Sequence, residues 1–486
     1  MQQILDLHIH SKYSRSCSTQ LTLENIDAAC RTKGVDIIAT GDFTFPDWFF
    51  DIKNKLIETN SGSGLYKLKS AKDDKVYPVK SQSEIGTRSV FNGVNPVKSG
   101  EAGAVKPQFN GVKFILSTEV ALIYKDGGQA RRIHLVIHAP NIKAAEELNN
   151  HLDENFNIRS DGRPILGMSA PALMKLCLGI DKKFLIYPAH IWTPWFAVFG
   201  SKSGFNKMED CFHEYTKDIY AIETGLSSDP EMNWRLSALD RFTILSNSDA
   251  HSLPNIAREA NVFEMKEITY NEIYEIIKNK KIYKEMDSRL PTGQAGLRGN
   301  DKKGNNEIGV KFTIEFYPEE GMYHYDGHRT CGVSFTPEET KKHRGLCPVC
   351  KKPLIIGVMN RVDELADRPP AVSAGGLNPP AGQAGFVKLV ELDKIIAETM
   401  NIKSRQAGKV QAVYKNLIKQ GGNELNILLN ISLKDLSKMA DAAVVEGIKR
   451  AREGRLIISP GFDGQYGTVR IFSEREKEGN KQKKLF

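Results

Sequence analysis

Between residues 1 and about 285, short apolar runs alternate with stretches of helical period. The runs are "QQILDLHI", "VDIIAT", "VKFILSTEV", "RRIHLVIHA", "KFLIYPAH", "IYAIETG" and "RFTILSNSD". Each is too short for a helix and is bounded by polar or small residues, so each reads as a buried strand. Between them, "TLENIDAACRTKG" and "NIKAAEELNNHL" read as amphipathic helices. Strand–helix alternation predicts a parallel sheet, open or closed into a barrel. In a barrel, functional side chains collect at the C-terminal ends of the strands.

Polar side chains fall where that rule places them. His8 and His10, Asp42, Glu119, His134, His190, and Asp249 with His251 stand at or just past the end of an apolar run. Each alone reads equally well as an ordinary satisfied polar residue. Their shared position makes them candidate ligands of one polynuclear metal site. Imidazoles and carboxylates holding two or three divalent ions suit phosphoester hydrolysis, through an activated water and a stabilised leaving oxygen. His8, His10, Glu119 and Asp249 are the expected catalytic ligands, with His134, His190 and His251 completing the set and Asp42 a further ligand. Asp249 is placed to bridge ions or orient the nucleophile.

Beyond residue 285 the pattern changes. "PTGQAG" (Pro291 to Gly296) and "PAGQAG" (Pro380 to Gly385) are near copies inside Gly/Pro-rich stretches, and "NGVNPVKSGEAGAVKPQFNG" at 92–111 has similar composition. These segments are too poor in large apolar residues to pack and read as flexible loops. "YHYDGHRTCGVSFTPEETKKHRGLCPVC" gives His328-x2-Cys331 and Cys347-x2-Cys350, the paired spacing of a four-ligand structural zinc. His324 competes for the fourth place, and His343 more weakly. Helical period returns in "KVQAVYKNLIKQ" and "LKDLSKMADAAVVEGIKRAREG", with recurring basic residues. The expected organisation is a barrel over 1–285, a linker over 286–310 and a zinc module over 311–368. A Gly/Pro-rich insert follows at 369–387, then a helical domain at 388–472 and a tail at 473–486.

The whole chain of 486 residues is 26% charged and 40% hydrophobic, as a globular protein is. No apolar run approaches the roughly 18 residues of a membrane span. The first strand begins almost at once, so no secretory leader is expected and a cytoplasmic location is. Seven cysteines are too few and too scattered for a disulfide framework. The net charge of +8 fits an anionic partner such as nucleic acid.

With these residues in hand, the chain resembles the PHP superfamily, whose fold is a distorted (β/α)7 barrel carrying up to three metal ions. The matching pieces are "DLHIHS", "ATGDFT", "STEV", "RRIH", "YPAH" and "SNSDAHS". More narrowly it is similar to the endonuclease Q family, in "SDGRPILG", "PAHIWTPWFAVFGSKSGF", "IETGLSSDPEMNWRLSALD", "YHYDGHRTC" with "CPVC", and "RVDELADRPP". The resemblance implies an α/β fold: a PHP barrel, then a small zinc-binding module, then a helical C-terminal domain. It implies a metal-dependent DNA repair endonuclease that nicks 5′ to a deaminated base such as uracil or hypoxanthine, or to an abasic site. The implied cofactors are two or three divalent ions (zinc, magnesium or manganese) in the barrel and one structural zinc. One departure stands out, because similar proteins tend to carry a histidine where Phe45 stands.

For such a substrate, Trp192, Trp195 and Phe196 are candidates to stack on an extruded base. The alternative is a hydrophobic loop folded on the barrel. Arg163, in "SDGRP", is placed to meet a phosphate, or the segment is only a turn. Lys409, Lys415, Lys419, Lys449, Arg450, Arg452 and Arg455 offer charges to a DNA backbone. The terminal "REKEGNKQKKLF" resembles sliding-clamp peptides through Gln482, Leu485 and Phe486, and otherwise is a frayed basic end. Two competing readings remain at this level. One is a PHP phosphatase for a small phosphate ester; the other is a non-catalytic DNA-binding scaffold with a degenerate barrel.

Overall fold

A computed structural model describes residues 1–70, 111–283, 307–370, 379–380, 382–474 and 476. The repeat "PTGQAG", most of the 92–111 segment and the clamp-like Gln482, Leu485 and Phe486 lie outside the described residues. Eight strands build the catalytic half: β1 Gln2–Asp6, β2 Ile37–Ala39, β3 Lys113–Ile115, β4 Ser117–Asp126, β5 Gln129–His138, β6 Leu185–Pro188, β7 Ala221–Glu223 and β8 Thr243–Leu245. All but β4 form a ring. β1, β2 and β3 pair in parallel, β5 pairs antiparallel with β6, and β7 pairs parallel with β8. Single backbone hydrogen bonds join these groups. Ala139 N–H donates to Leu116 O (3.3 Å), Ile191 N–H to Glu223 O (3.0 Å), and His10 N–H to Ala250 O (3.1 Å). The barrel is therefore seven-fold, distorted where the long β4–β5 hairpin runs against its neighbours.

Short strands of apolar residues buried on both faces, such as Ile37, Ile38 and Ala39, explain the continuous apolar runs. The helices between them begin on side-chain caps. Thr22 accepts from Asn25 N–H at the start of Leu23–Lys33, and Asn141 from Ala144 N–H at the start of Ile142–Asn155.

The sheet extends past the expected boundary at 285. β1 pairs antiparallel with β9 (Ala260–Glu264), which pairs antiparallel with β10 (Gly309–Glu315), which pairs parallel with β11 (Gly385–Lys388). Val310, Phe312, Ile314, Phe386 and Val387 are buried there, so the end of "PAGQAG" enters a strand instead of a loop. The two added strands cover an edge that would otherwise present bare backbone groups. The hairpin of the expected zinc site, Asp326–His328 with Val333–Phe335, lies between them in sequence. Helix Val358–Leu365 ties it to the barrel: Arg361 donates to Phe199 O (3.1 Å) and Phe205 O (3.0 Å).

The C-terminal part holds helices Leu392–Thr399, Gly408–Gly421, Glu424–Leu429, Leu433–Leu436 and Ala442–Arg452. It is not purely helical. A hairpin, Ile457–Ser459 with Thr468–Arg470, returns to the zinc hairpin, where Tyr325 N–H donates to Gly461 O (2.9 Å).

Candidate metal centre

The strands deliver their terminal polar residues to one mouth of the ring. His8 and His10 follow β1, Glu119 lies in β4, His134 in β5, His190 follows β6, and Asp249 follows β8. Asp249 and His190 take left-handed backbone, with φ of 44° and 29°. Such non-glycine residues are costly and cluster at functional sites. The loop after β7 needs Gly225, since a Cβ there would stand 2.4 Å from that of His190.

The side chains form two triads. The ligand atoms of His8, His10 and Asp249 lie within 4.8 Å of one another, as do those of Glu119, His134 and His190. Glu119 faces both. Its Oε1 is 2.8 Å from His134 Nδ1 and 3.2 Å from His190 Nε2; its Oε2 is 3.3 Å from His10 Nε2 and 3.8 Å from His8 Nε2. Asp249 Oδ1 is 3.1 Å from His10 Nε2.

Three of these atoms, His8 Nε2, His10 Nε2 and Asp249 Oδ1, are buried without a hydrogen-bond partner. Orphaned buried nitrogens and oxygens pointing at one space are costly unless something binds them. Two imidazoles and a carboxylate are the donors a divalent ion takes, so the residues fit the metal that the fold implies.

Charge is arranged accordingly. Burial works against a charge on His8, yet Glu223 and Glu119 hold it well above its ordinary value. Burial opposes a charge on Glu119 too, but His134 and Arg163 hold it well below the carboxylate range. Asp249 is likewise held far down, against burial, by His10 and His8. Burial pushes His134 down to about 4, leaving it neutral. The carboxylates stay anionic and His134 neutral, while a cation bound at His8 would take the place of its proton.

Not every expected ligand joins these triads. Asp42 sits behind His10: Oδ1 accepts from His10 Nδ1 (3.0 Å), and Oδ2 from Ser11 N–H (2.7 Å), Ser11 Oγ (2.7 Å) and Ser14 Oγ (2.8 Å). It orients His10 and is part of neither triad. His251 turns Nδ1 to the carbonyl of its own neighbour Asp249 (2.8 Å) and belongs to neither triad.

Glu223 escaped sequence reasoning. Fully buried, it accepts from His8 Nδ1 (3.1 and 3.2 Å), Asn247 Nδ2 (2.8 Å) and His190 N–H (2.8 Å). The signal for it was a lone acid ending the apolar run "IYAIETG".

The nucleic-acid candidates separate by burial. Trp192 is 1% exposed, donates to Asn233 Oδ1 (2.8 Å) and packs on Phe199, so it is a core residue with no face for a base. Trp195 is 37% exposed, and Phe196 tilts over His134 at 4.5 Å, at the rim of the centre. Arg163 reaches inward, its Nη1 3.1 Å from Glu119 Oε2. It neutralises that carboxylate first. In the helical domain, Arg452 donates to Leu428 O, Ile427 O and Ile431 O, and Arg450 pairs with Glu446 and Glu476, so neither is free for DNA.

The second site holds His328, Cys331, Cys347 and Cys350 with all four ligand atoms within 4.8 Å of one another. Each knuckle closes on a left-handed residue, Gly332 (φ 64°) and Lys351 (φ 61°). The choice of fourth ligand falls to His328. His324 is buried against Tyr325, and His343 stacks on Phe335. Val333, Cys347 and Leu354 are the only fully buried apolar residues of this cluster, too few to hold it. Three thiols and an imidazole suit zinc, and its binding energy would substitute for a core.

Two solved structures share this fold over nearly the whole chain. One is the lesion-specific endonuclease PfuEndoQ from Pyrococcus furiosus, with 25% identity, a TM-score of 0.73, and 98% of this chain and 97% of that one covered. The other is an endonuclease Q complex with a 27-mer duplex substrate carrying an abasic lesion at the active site. It has 25% identity and a TM-score of 0.72, covering 98% of both chains. The chain resembles endonuclease Q over nearly its whole length.

Residues 391–455 match the profile of the MJ0043 C-terminal domain, which here covers the five C-terminal helices. Uncharacterized protein MJ0043 of Methanocaldococcus jannaschii is 30% identical over 285 residues, 57% of this chain but 31% of its own length. The chain thus spans under a third of that relative. Uncharacterized protein YqxK of Bacillus subtilis is 25% identical over 347 residues, 70% of this chain and 74% of its own. Among the described residues no helix is long and apolar enough to cross a membrane.

Proposed function

We propose that this protein is a metal-dependent DNA repair endonuclease. It hydrolyses the phosphodiester 5′ to a deaminated base or an abasic site. The observation that carries this is the pair of buried ligand triads at the barrel mouth, in a chain matching a lesion-specific endonuclease over 98% of its length. A relative solved with an abasic duplex at its active site supports damaged DNA as the partner. A small-ester phosphatase has no use for the zinc hairpin and the helical domain. The scaffold reading fails on the orphaned ligand atoms, which a degenerate barrel has no reason to keep.

Divalent ions in the two triads would supply an activated water and electrostatic stabilisation of the leaving oxygen. The chain's own groups do the rest. His8, His10 and Asp249 would hold one ion, and Glu119, His134 and His190 the other. Glu223 and Asp42 fix His8 and His10 through their Nδ1 atoms, so that each presents Nε2 to the centre. Arg163 neutralises Glu119 and lies close enough to attract a phosphate oxygen once metal shares that carboxylate. Trp195 and Phe196 offer ring faces at the rim for a displaced base.

The test is a set of end-labelled duplexes carrying uracil, hypoxanthine, an abasic site or no lesion, incubated with Mg²⁺ or Mn²⁺. A nick on the 5′ side of a lesion, absent on the plain duplex and with Asp249→Ala, is the expected result. A folded, metal-loaded protein that cuts none of them refutes the reading.

A further inference from the structure

The loop that carries Asp249 is held from two sides, and one of them is the helical domain. We propose that this domain braces the loop, and that Arg405 is the positioning residue through which it acts. The inference rests on the metal-centre reading above and extends it to a module that contributes no ligand.

The loop needs holding. Two of its non-glycine residues take left-handed backbone, Asp249 (φ 44°) and Ala257 (φ 61°). Such conformations persist only where the surroundings over-determine them. Part of that constraint comes from the barrel. Asp6 accepts from Ser248 N–H through Oδ1 (3.0 Å) and from Ala257 N–H through Oδ2 (3.0 Å). Arg258 donates from Nε to Ser248 O (2.9 Å) and from Nη2 to the carbonyl of Asp249 itself (3.4 Å). Arg258 is in turn tied to the turn Leu253–Asn255, because its N–H donates to Asn255 O (3.2 Å).

The helical domain takes hold of that same turn. Arg405, between helices Leu392–Thr399 and Gly408–Gly421, donates from Nη2 to Asn255 Oδ1 (2.6 Å). Its Nη1 donates to the buried carboxylate of Glu391 (3.2 Å), and its carbonyl accepts from Gln411 Nε2 (2.9 Å). The guanidinium is thus fixed within its own domain before it reaches the loop, and its planar fork transmits position as an ammonium would not. The domain is anchored to the barrel at a second point. Lys33, at the end of helix Leu23–Lys33, lies 2.8 Å from Glu424, with the two side chains 8% and 4% exposed. Glu424 also accepts from Leu392 N–H (3.1 Å) and Tyr414 Oη (2.5 Å). Sliding this seam would strand a buried charge. Arg405, Asn255 and Arg258 therefore form a continuous path from the helical domain to the backbone of a metal ligand.

The experiment measures Mn²⁺ affinity of the full chain, stripped with chelator and given back one equivalent of Zn²⁺, from the free-ion signal in electron paramagnetic resonance. Arg405→Ala and Asn255→Ala are each expected to weaken binding about tenfold, the lower end of what groups outside the ligand shell contribute. The double variant is expected to bind no more weakly than either single one, since both cut the same path. Asn255→Asp keeps an acceptor for Arg405 and is expected to recover most of the loss. In the metal-free proteins, hydrogen exchange is expected to rise over 246–258 in both alanine variants and to stay at the parent level across Gln2–Asp6 and Ile37–Ala39. Unchanged affinity in Asn255→Ala overturns the proposal, even where Arg405→Ala loses binding, because Arg405 then serves its own domain alone. Additive losses in the double variant, or unchanged exchange over 246–258, overturn it as well. These results refute the brace and leave the metal centre standing, whereas a parent protein that binds no manganese refutes both. A parent that binds manganese and cuts no lesion refutes the nuclease reading alone.

Discussion

At the scale of single residues, the centre is set as much by what stands behind the ligands as by the ligands themselves. Glu223 holds His8 by its Nδ1 while also accepting from Asn247 and His190. Residues that orient a ligating histidine typically carry 10–100-fold in metal affinity. Glu223→Gln is therefore expected to weaken Mn²⁺ binding by about that factor, measured by competition with a chelator, with the fold retained. Unchanged affinity would mean that His8 is positioned without it. The two tryptophans make a second contrast. Trp192→Ala opens a cavity in the core and should cost roughly 3–5 kcal/mol in urea unfolding. Trp195→Ala, at the rim, should cost within about 0.5 kcal/mol and lower affinity for lesion duplex instead. Nothing local separates them, because both follow His190 in one aromatic run and only packing decides which ring is enclosed.

At the scale of elements, strand ends were legible and their partners were not. His8, His10, Glu119, His134, His190 and Asp249 were readable because apolar runs end at them and ligand chemistry repeats. Asp42, expected as a ligand for the same reason, lies behind His10 instead of in either triad, because the end of a strand does not show which way a carboxylate turns. The two strands added to the sheet, Gly309–Glu315 and Gly385–Lys388, were hidden because Gly/Pro-rich text beside them outweighs a short apolar run. The spacing of the expected zinc hairpin was legible in the sequence, and the structure gathers His328, Cys331, Cys347 and Cys350 into one group. Since so little apolar surface supports it, Cys347→Ser or prolonged chelation should melt this element separately. Hydrogen exchange should rise across 326–356 while the barrel core stays protected. Uniform protection across both would contradict a metal-dependent hairpin.

At the scale of the whole molecule, the core carries ionisable groups at a cost that depends on pH. Burial raises Glu315 from its ordinary 4.5 to about 7, opposed by hydrogen bonds from Thr313 and Thr224 and helped by the charge of Asp229. Burial similarly raises Asp6 to about 6. Both acids keep protons in the folded protein at pH values where the unfolded chain has lost them, so these groups make stability fall as pH rises from about 4 to 7. Glu315→Gln removes one such proton. In urea unfolding at fixed metal loading, it should gain on the parent between pH 5 and pH 8 by on the order of 1–3 kcal/mol. A gap between the two proteins that does not change with pH would show that Glu315 is not protonated in the fold. The order of modules, barrel then zinc hairpin then helices, was legible in the chain, whereas the return of the last hairpin onto the zinc element depends on contacts that no local pattern encodes.

The most direct test of the central claim uses chelator-stripped protein on a duplex with one abasic site, with the cut strand sequenced as Mn²⁺ is added back. A single break 5′ to the lesion, absent without metal and appearing as the barrel fills, is the predicted result. Cutting that proceeds in the stripped protein, or breaks that ignore the lesion, would contradict it.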